Sequence, residues 1–189
     1  YALDLPAVRQ AARDAAVVWL CSPNNPTGLP EPAGSIAELL GGLLADADAD
    51  GRAAPVVVLD EAYAEFVGTS LVGLRAAYPR LVVVRTASKA YALAGLRVGF
   101  AIARRELIAE AEPYRPPGSV SIPSVAVVTA ALRSPETLRD NVLRVSVERA
   151  RLAAEFAALG IPAGPSVTNF LLVGFGNRER ATGAADGLF

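Results

Sequence analysis

A single lysine, Lys89, stands within RTASKAYALAGLRVGF (residues 85–100), while the other 17 of the 18 basic residues are arginine. A surface that needs only positive charge is served by arginine, which this chain prefers everywhere else. An amine differs from a guanidinium in that it can lose its proton, attack a carbonyl and form a Schiff base. The residues around Lys89 are hydroxyls and glycines rather than a solvated charge run. Two further polar clusters precede it, SPNNPTG at residues 22–28 and DEAY at residues 60–63. Each of the three clusters follows a short apolar run, and the carboxyl ends of parallel strands are where α/β sheets bind ligands.

A lysine forming a Schiff base with pyridoxal phosphate needs particular company. The pyridine nitrogen of that cofactor stays protonated only beside a buried carboxylate, and Asp60, at the end of the run VVVLD, is placed to provide one. Asn25 and Tyr63 can donate to the phenolic oxygen. Thr86, Ser88 and Arg97 bracket Lys89 and suit a phosphate, for which the planar arginine fork is fitted. Gly95 and Gly99 leave the backbone free to turn tightly beside that arginine. Taken singly, each residue also has a plain structural reading. Asn25 begins an ordinary turn, Asp60 caps a helix or joins a salt bridge, and Tyr63 is a half-buried aromatic. Arg97 pairs at the surface, Lys89 is solvated, Cys21 is a small buried hydrophobe, and Glu61 and Glu65 face solvent or cap a helix. Only the combination at three successive strand ends argues for a shared site.

The elements that must position these residues follow from periodicity. Leu5–Ala15 has apolar residues at helical spacing, and Val17–Cys21 is a short strand. Ser35–Leu44 is expected to be a helix with Ser35 as its N-cap. Val56–Leu59, ending at Asp60, and Leu81–Arg85 are apolar, β-branched strands; Gly99–Ala103 is a fourth, with a helix from Arg105. Strands apolar on both faces that alternate with helices predict an α/β fold, a mostly parallel sheet covered by helices. The Pro/Gly/Ser stretch PYRPPGSVSIPS (113–124) breaks this rhythm before a helix at Ala126–Leu132. Ser134 as N-cap, Pro135 at the first helical position and Gly160 beyond the end frame one long helix. SVTNFLLVGF (166–175) is expected to be a new strand. The division is therefore 1–133, part of a large domain; 134–160, a long connecting helix; and 161–189, the start of a smaller α/β domain.

Composition excludes several function classes. The net charge is −1, with no basic run, so neither nucleic acid nor a basic membrane patch finds support. The chain has no histidine, which rules out a Ser-His-Asp triad or a histidine-ligated metal within it, and its one cysteine rules out an internal disulfide framework. No apolar run is long enough to span a bilayer.

In this order and spacing, SPNNPTG, VVVLDEAYAEF and RTASKAYALAGLRVGF resemble the pyridoxal-phosphate aminotransferases of fold type I, and among them the histidinol-phosphate aminotransferase family. The intervals are 35 residues from Asn25 to Asp60, 29 to Lys89 and 8 to Arg97. The resemblance implies pyridoxal 5'-phosphate as cofactor, with Lys89 as its Schiff-base anchor and the later proton carrier. Asp60 would pair with the ring nitrogen, Tyr63 and Asn25 with the phenolic oxygen, and Thr86, Ser88 and Arg97 with the phosphate. It also implies transamination between histidinol phosphate and imidazole-acetol phosphate with glutamate and 2-oxoglutarate, in histidine biosynthesis in the cytoplasm. Small-molecule amino-acid and 2-oxo-acid substrates and a homodimer of the full-length protein follow; nucleic acid and membrane do not. PYRPPGSVSIPS resembles the segment leading to the interdomain helix, and SVTNFLLV the opening strand of the small domain. A preceding aromatic-bearing segment and a late carboxylate-binding arginine find no counterpart, so the chain reads as the middle of such an enzyme. The alternatives are another fold type I aminotransferase or phospho-amino-acid decarboxylase, an aminotransferase-like sensor domain, and an inactive fragment.

Overall fold

A computed structural model describes residues 2–188; Tyr1 and Phe189, the outer ends of the expected division, lie outside the described residues. Four strands form one sheet in the order β1-β2-β3-β4: β1 Val17–Cys21, β2 Val56–Asp60, β3 Leu81–Thr86 and β4 Gly99–Ile102. The first three are parallel and β4 returns antiparallel to β3. The register sets Cys21 beside Asp60, Asp60 beside Val84, and Thr86 beside Gly99. All three polar clusters therefore emerge at the carboxyl end of the parallel strands.

The core lies on one face of this sheet. Leu20 of β1, Val57 and Leu59 of β2, and Leu81 and Val83 of β3 point to it, at the two-residue period of a strand. Helix α2, Ser35–Ala49, lays Ile36, Leu39, Leu40, Leu43 and Ala47 against them, one apolar stripe at helical spacing. Helix α1, Leu5–Ala11, adds Leu5 and Val8, and Ala12 just past its end. Tyr78 closes the far end, its hydroxyl donating to the Pro55 carbonyl at 2.7 Å. The opposite face is open at β1, where Val17 is 44% and Trp19 70% exposed.

Four helix boundaries differ from the sequence reading. Helix α1 stops at Ala11 rather than Ala15, because Ala12–Ala15 turns the chain into β1 through Arg13 N–H to Gln10 O and Ala15 N–H to Ala12 O. In α2 the N-cap is Gly34, at φ +85°, and Ser35 is the first helical residue, its hydroxyl donating to Pro32 O at 2.8 Å. The helix also runs on through ADADA, whose three alanines are good helix formers and of which Ala47 is buried. Further along are α3 Ala64–Val67, α4 Arg105–Ala111 and α5 Ile122–Leu132. Helix α5 begins four residues ahead of Ala126 because Ser121 caps it, accepting from Ser124 N–H at 3.2 Å.

Helix α6, Pro135–Ala158, is the long helix framed by Ser134 and Gly160, with Gly160 at φ +70°. The expected strand 166–175 does not form: one isolated bridge, Ala163 to Val173, stands in its place. Arg149 of α6 takes up the carbonyls of Val167 and Thr168, at 3.2 and 2.5 Å, which a sheet ladder would otherwise need. Without a third strand, a pair this short is marginal. Helix α7, Arg178–Asp186, follows, with Asn177 accepting from Arg180 N–H.

Candidate active site

Strand β2 delivers Asp60 to the carboxyl end of the sheet, where its carboxylate accepts from Ala62 N–H at 2.9 Å and its carbonyl accepts from Ser22 N–H at 3.0 Å. That second bond fastens SPNNPTG to the end of β2. Within the loop, Asn24 Oδ1 accepts from the Thr27 hydroxyl at 3.1 Å and from its N–H at 3.4 Å, the side-chain-to-backbone pattern that favours asparagine in turns. Asn24 thus builds the turn, and Asn25 is left exposed. Gly28, at φ +74°, closes the loop against residue 166: a Cβ there would lie 2.8 Å from Ser166 Cβ, and Gly28 O accepts from Val167 N–H at 2.8 Å. Cys21 is half-buried and donates to Pro23 O; burial pushes its thiol up, away from the reactive thiolate.

Tyr63 caps α3 and is 5% exposed. Its ring meets Phe170 edge-on at 5.3 Å between centroids, and Lys89 Nζ lies over it at 5.4 Å, within reach of a cation–π contact. Lys89 comes from the turn between β3 and β4. Backbone bonds hold that turn: Ala87 N–H to Val98 O at 3.0 Å, Ala92 N–H to Lys89 O at 3.0 Å, and Leu93 N–H to Ala87 O at 3.1 Å. Thr86 Oγ1 donates to Val98 O at 3.3 Å and accepts from Ser88 N–H at 3.1 Å, so its hydroxyl already braces the turn. Arg97 is exposed, one of its terminal nitrogens donating to Ala94 O at 3.2 Å. It sits two residues before Gly99, which pairs with Thr86, and so lies across the hairpin from Ser88.

The glycines expected to relax this turn divide. Gly99 is the tight one, since a Cβ there would sit 3.0 Å from Arg85 O, whereas Gly95 has open space around it. The residues at positive φ are instead Ala92 (+58°) and Arg97 (+54°). Side chains in this region carry strain, which tends to collect at functional sites.

Glu61 and Glu65 do not face solvent. Glu61 is 1% exposed and accepts four hydrogen bonds: the Ser70 hydroxyl at 2.7 Å, Leu71 N–H at 2.6 Å, and Arg85 Nε and Nη2 at 3.1 and 3.0 Å. Arg85 Nη1 reaches Glu65 at 3.1 Å. The other oxygen of Glu65 is buried without a partner among the described residues, and burial raises its carboxyl pKa despite Arg85. Opposite charges at the ends of two adjacent apolar strands were the signal for this cluster, because a charge there is enclosed as the strands pair.

Asp60 also borders a cavity of about 270 Å³ with Leu3, Trp19, Leu20, Cys21, Asn24 and Glu31. That volume lies just below the roughly 300–1,000 Å³ of small-molecule pockets.

The family model for aminotransferase class I and II matches residues 1–188. The chain belongs to this family. It is 40% identical over 173 residues to the histidinol-phosphate aminotransferase of Thermococcus kodakarensis, covering 92% of this chain and 47% of that protein. Against the enzyme of the same name from Xanthomonas campestris pv. campestris it is 43% identical over 188 residues, covering 94% and 49%. The chain thus spans about half the length of the curated relatives it matches. The crystal structure of histidinol-phosphate aminotransferase from Sinorhizobium meliloti in complex with pyridoxal-5'-phosphate superposes with a TM-score of 0.81 at 29% identity. The match covers 92% of this chain and 47% of that one. The fold is that of the fold type I aminotransferases.

Proposed function

We propose that the protein carrying this chain is a pyridoxal-phosphate-dependent transaminase of the histidinol-phosphate type. It would exchange an amino group between histidinol phosphate and imidazole-acetol phosphate on one side and glutamate and 2-oxoglutarate on the other. The observation that carries this reading is the seating of the single lysine: Lys89 Nζ lies over the buried Tyr63 ring, one strand away from Asp60. The donor set suits the cofactor in kind, with one amine, one carboxylate at a strand end, and an arginine beside hydroxyls across a hairpin.

Pyridoxal phosphate, when bound, supplies an electron sink for the carbon that gains or loses the amino group. The residues would do the rest. Asp60 would hold a proton on the ring nitrogen, and Tyr63 and Asn25 would donate to the phenolic oxygen. Ser88 and Arg97 would bind the phosphate, joined by Thr86 if its proton turns from Val98 O. Lys89 would anchor the cofactor and carry the proton at the substrate carbon. The division into large domain (1–133), long helix (134–160) and start of a small domain (161–189) belongs to the same reading, as do a homodimer, a cytoplasmic setting and a place in histidine biosynthesis. Among the described residues no helix is long and apolar enough to cross a membrane.

The test uses the protein encoded by the full reading frame. Added pyridoxal phosphate is expected to give a near-visible absorbance, and borohydride to fix a mass adduct on the peptide containing Lys89. Lys89→Arg should lose the adduct and about four orders of magnitude in transamination of histidinol phosphate, the scale at which acid–base groups act. An adduct elsewhere, or an active Lys89→Arg variant, would overturn the reading. An Asp60→Ala variant as active as the parent would remove the role given to that carboxylate.

A further inference from the structure

Resting on that function, we infer that Arg85, clamped by Glu61, is a positioning residue that fixes the turn bearing Asp60 and Tyr63 against the turn bearing Lys89. Glu61 is the next residue after Asp60, and Arg85 lies four before Lys89. The side chains therefore join the two turns at their roots, one strand apart.

Geometry makes the joint directional. Arg85 Nε and Nη2 both reach the same Glu61 oxygen, at 3.1 and 3.0 Å, while Nη1 reaches Glu65 of α3 at 3.1 Å. The guanidinium thus touches both ends of the segment in which Tyr63 lies. Glu61 is held in place independently of Arg85, since Ser70 Oγ donates to the same oxygen at 2.7 Å and Leu71 N–H to the other at 2.6 Å. The backbone repeats the link, Glu61 N–H donating to Val84 O at 2.9 Å. With the Glu61 side chain 2% and that of Arg85 20% exposed, water competes poorly for these bonds. A lysine at position 85 would keep the charge but lack the planar fork that makes three directed contacts. None of the three side chains is among those assigned to the cofactor, so their influence on the site passes through Asp60, Tyr63 and Lys89.

The experiment compares Arg85→Lys with the parent, as the full-reading-frame protein loaded with pyridoxal phosphate. Three quantities are read: the dissociation constant of the cofactor, the pH midpoint of the Lys89 absorbance, and the melting temperature of the cofactor-free protein. Positioning predicts cofactor binding weakened about tenfold, since small misplacements are costly at reacting centres, and a pH midpoint moved by about 0.5 unit or more. A brace that serves stability alone predicts a lower melting temperature with both other values unchanged, and that result would overturn the inference. If Arg85→Lys does not fold, Ser70→Ala carries the test, because it frees one side of Glu61 from an exposed position without changing charge. It should weaken cofactor binding about threefold and move the midpoint by a smaller amount than Arg85→Lys, since Glu61 loses one of its four bonds; no change in either overturns the inference. A parent that forms no Lys89 adduct refutes the proposed function and the inference with it. A normal parent with a normal Arg85→Lys variant refutes the inference alone.

Discussion

Glu65 shows how the charged cluster divides its labour. Two carboxylates share one guanidinium, and Arg85 gives Glu61 two bonds and Glu65 one. Burial, the largest influence on Glu65, raises its carboxyl pKa, with the Arg85 charge pulling the other way and Glu61 adding to the rise. A raised folded-state pKa means the native state binds the proton more tightly than the unfolded chain does. This linkage therefore favours the fold below the unfolded value of about 4.3, and the benefit is lost as pH climbs through the raised one. Glu65→Gln removes the cost of enclosing the carboxylate, while its remaining oxygen can still accept from Arg85 Nη1. We expect Glu65→Gln to be more stable than the parent at pH 7 by on the order of 1 kcal/mol. The gain should shrink toward zero near pH 4, as followed by urea unfolding across pH. Sequence reading singled out Lys89, Asp60, Tyr63 and Arg97 by chemical type, because each is conspicuous among its neighbours. It missed Glu61 and Glu65, because a carboxylate in a polar turn looks solvated until the strands beneath it are paired.

At the scale of elements, the docking of α1 on α2 depends on a polar contact beside the apolar one. Arg9 donates to both oxygens of Asp46, at 2.9 and 2.6 Å, and Gly42 leaves the room in which its side chain lies. The hydrogen bond and then the charge of Arg9 hold the Asp46 carboxyl below its ordinary pKa. The stabilisation is present above the unfolded value of about 3.9 and is lost as pH falls through the depressed one. Asp46→Asn should therefore unfold at lower urea than the parent at pH 5–7, with the gap closing below about pH 4. The strands were legible because each is a short apolar run ended by a polar cluster. Helix ends were less so: Ser35 has the chemistry of a cap, yet Gly34 takes the position because its backbone reaches φ +85°. In place of the expected strand at 166–175 there is one bridge, and the arginine of a helix holds the Val167 and Thr168 carbonyls, a contact invisible to periodicity.

For the molecule as a whole, the segment after α6 is joined to the candidate site by few contacts. Phe170 meets Tyr63 edge-on, and Ser166 and Val167 pack on Gly28. Gly28→Ala would force an alanine into φ +74° and against the Ser166 side chain and backbone. We expect it to cost about 2–3 kcal/mol in urea unfolding and to speed proteolytic cleavage within 162–173. A variant as stable and as protease-resistant as the parent would show that the contact carries no weight. No local pattern announces such a contact, since the two residues lie at opposite ends of the fold's sequence and meet only once α6 has carried the chain back. The contact also constrains descent. Positions 28 and 166 should drift together among related sequences, so that a lineage admitting a side chain at 28 has first given up bulk at 166. An alignment of relatives would then record, as paired substitutions, a closeness that neither segment's own sequence displays.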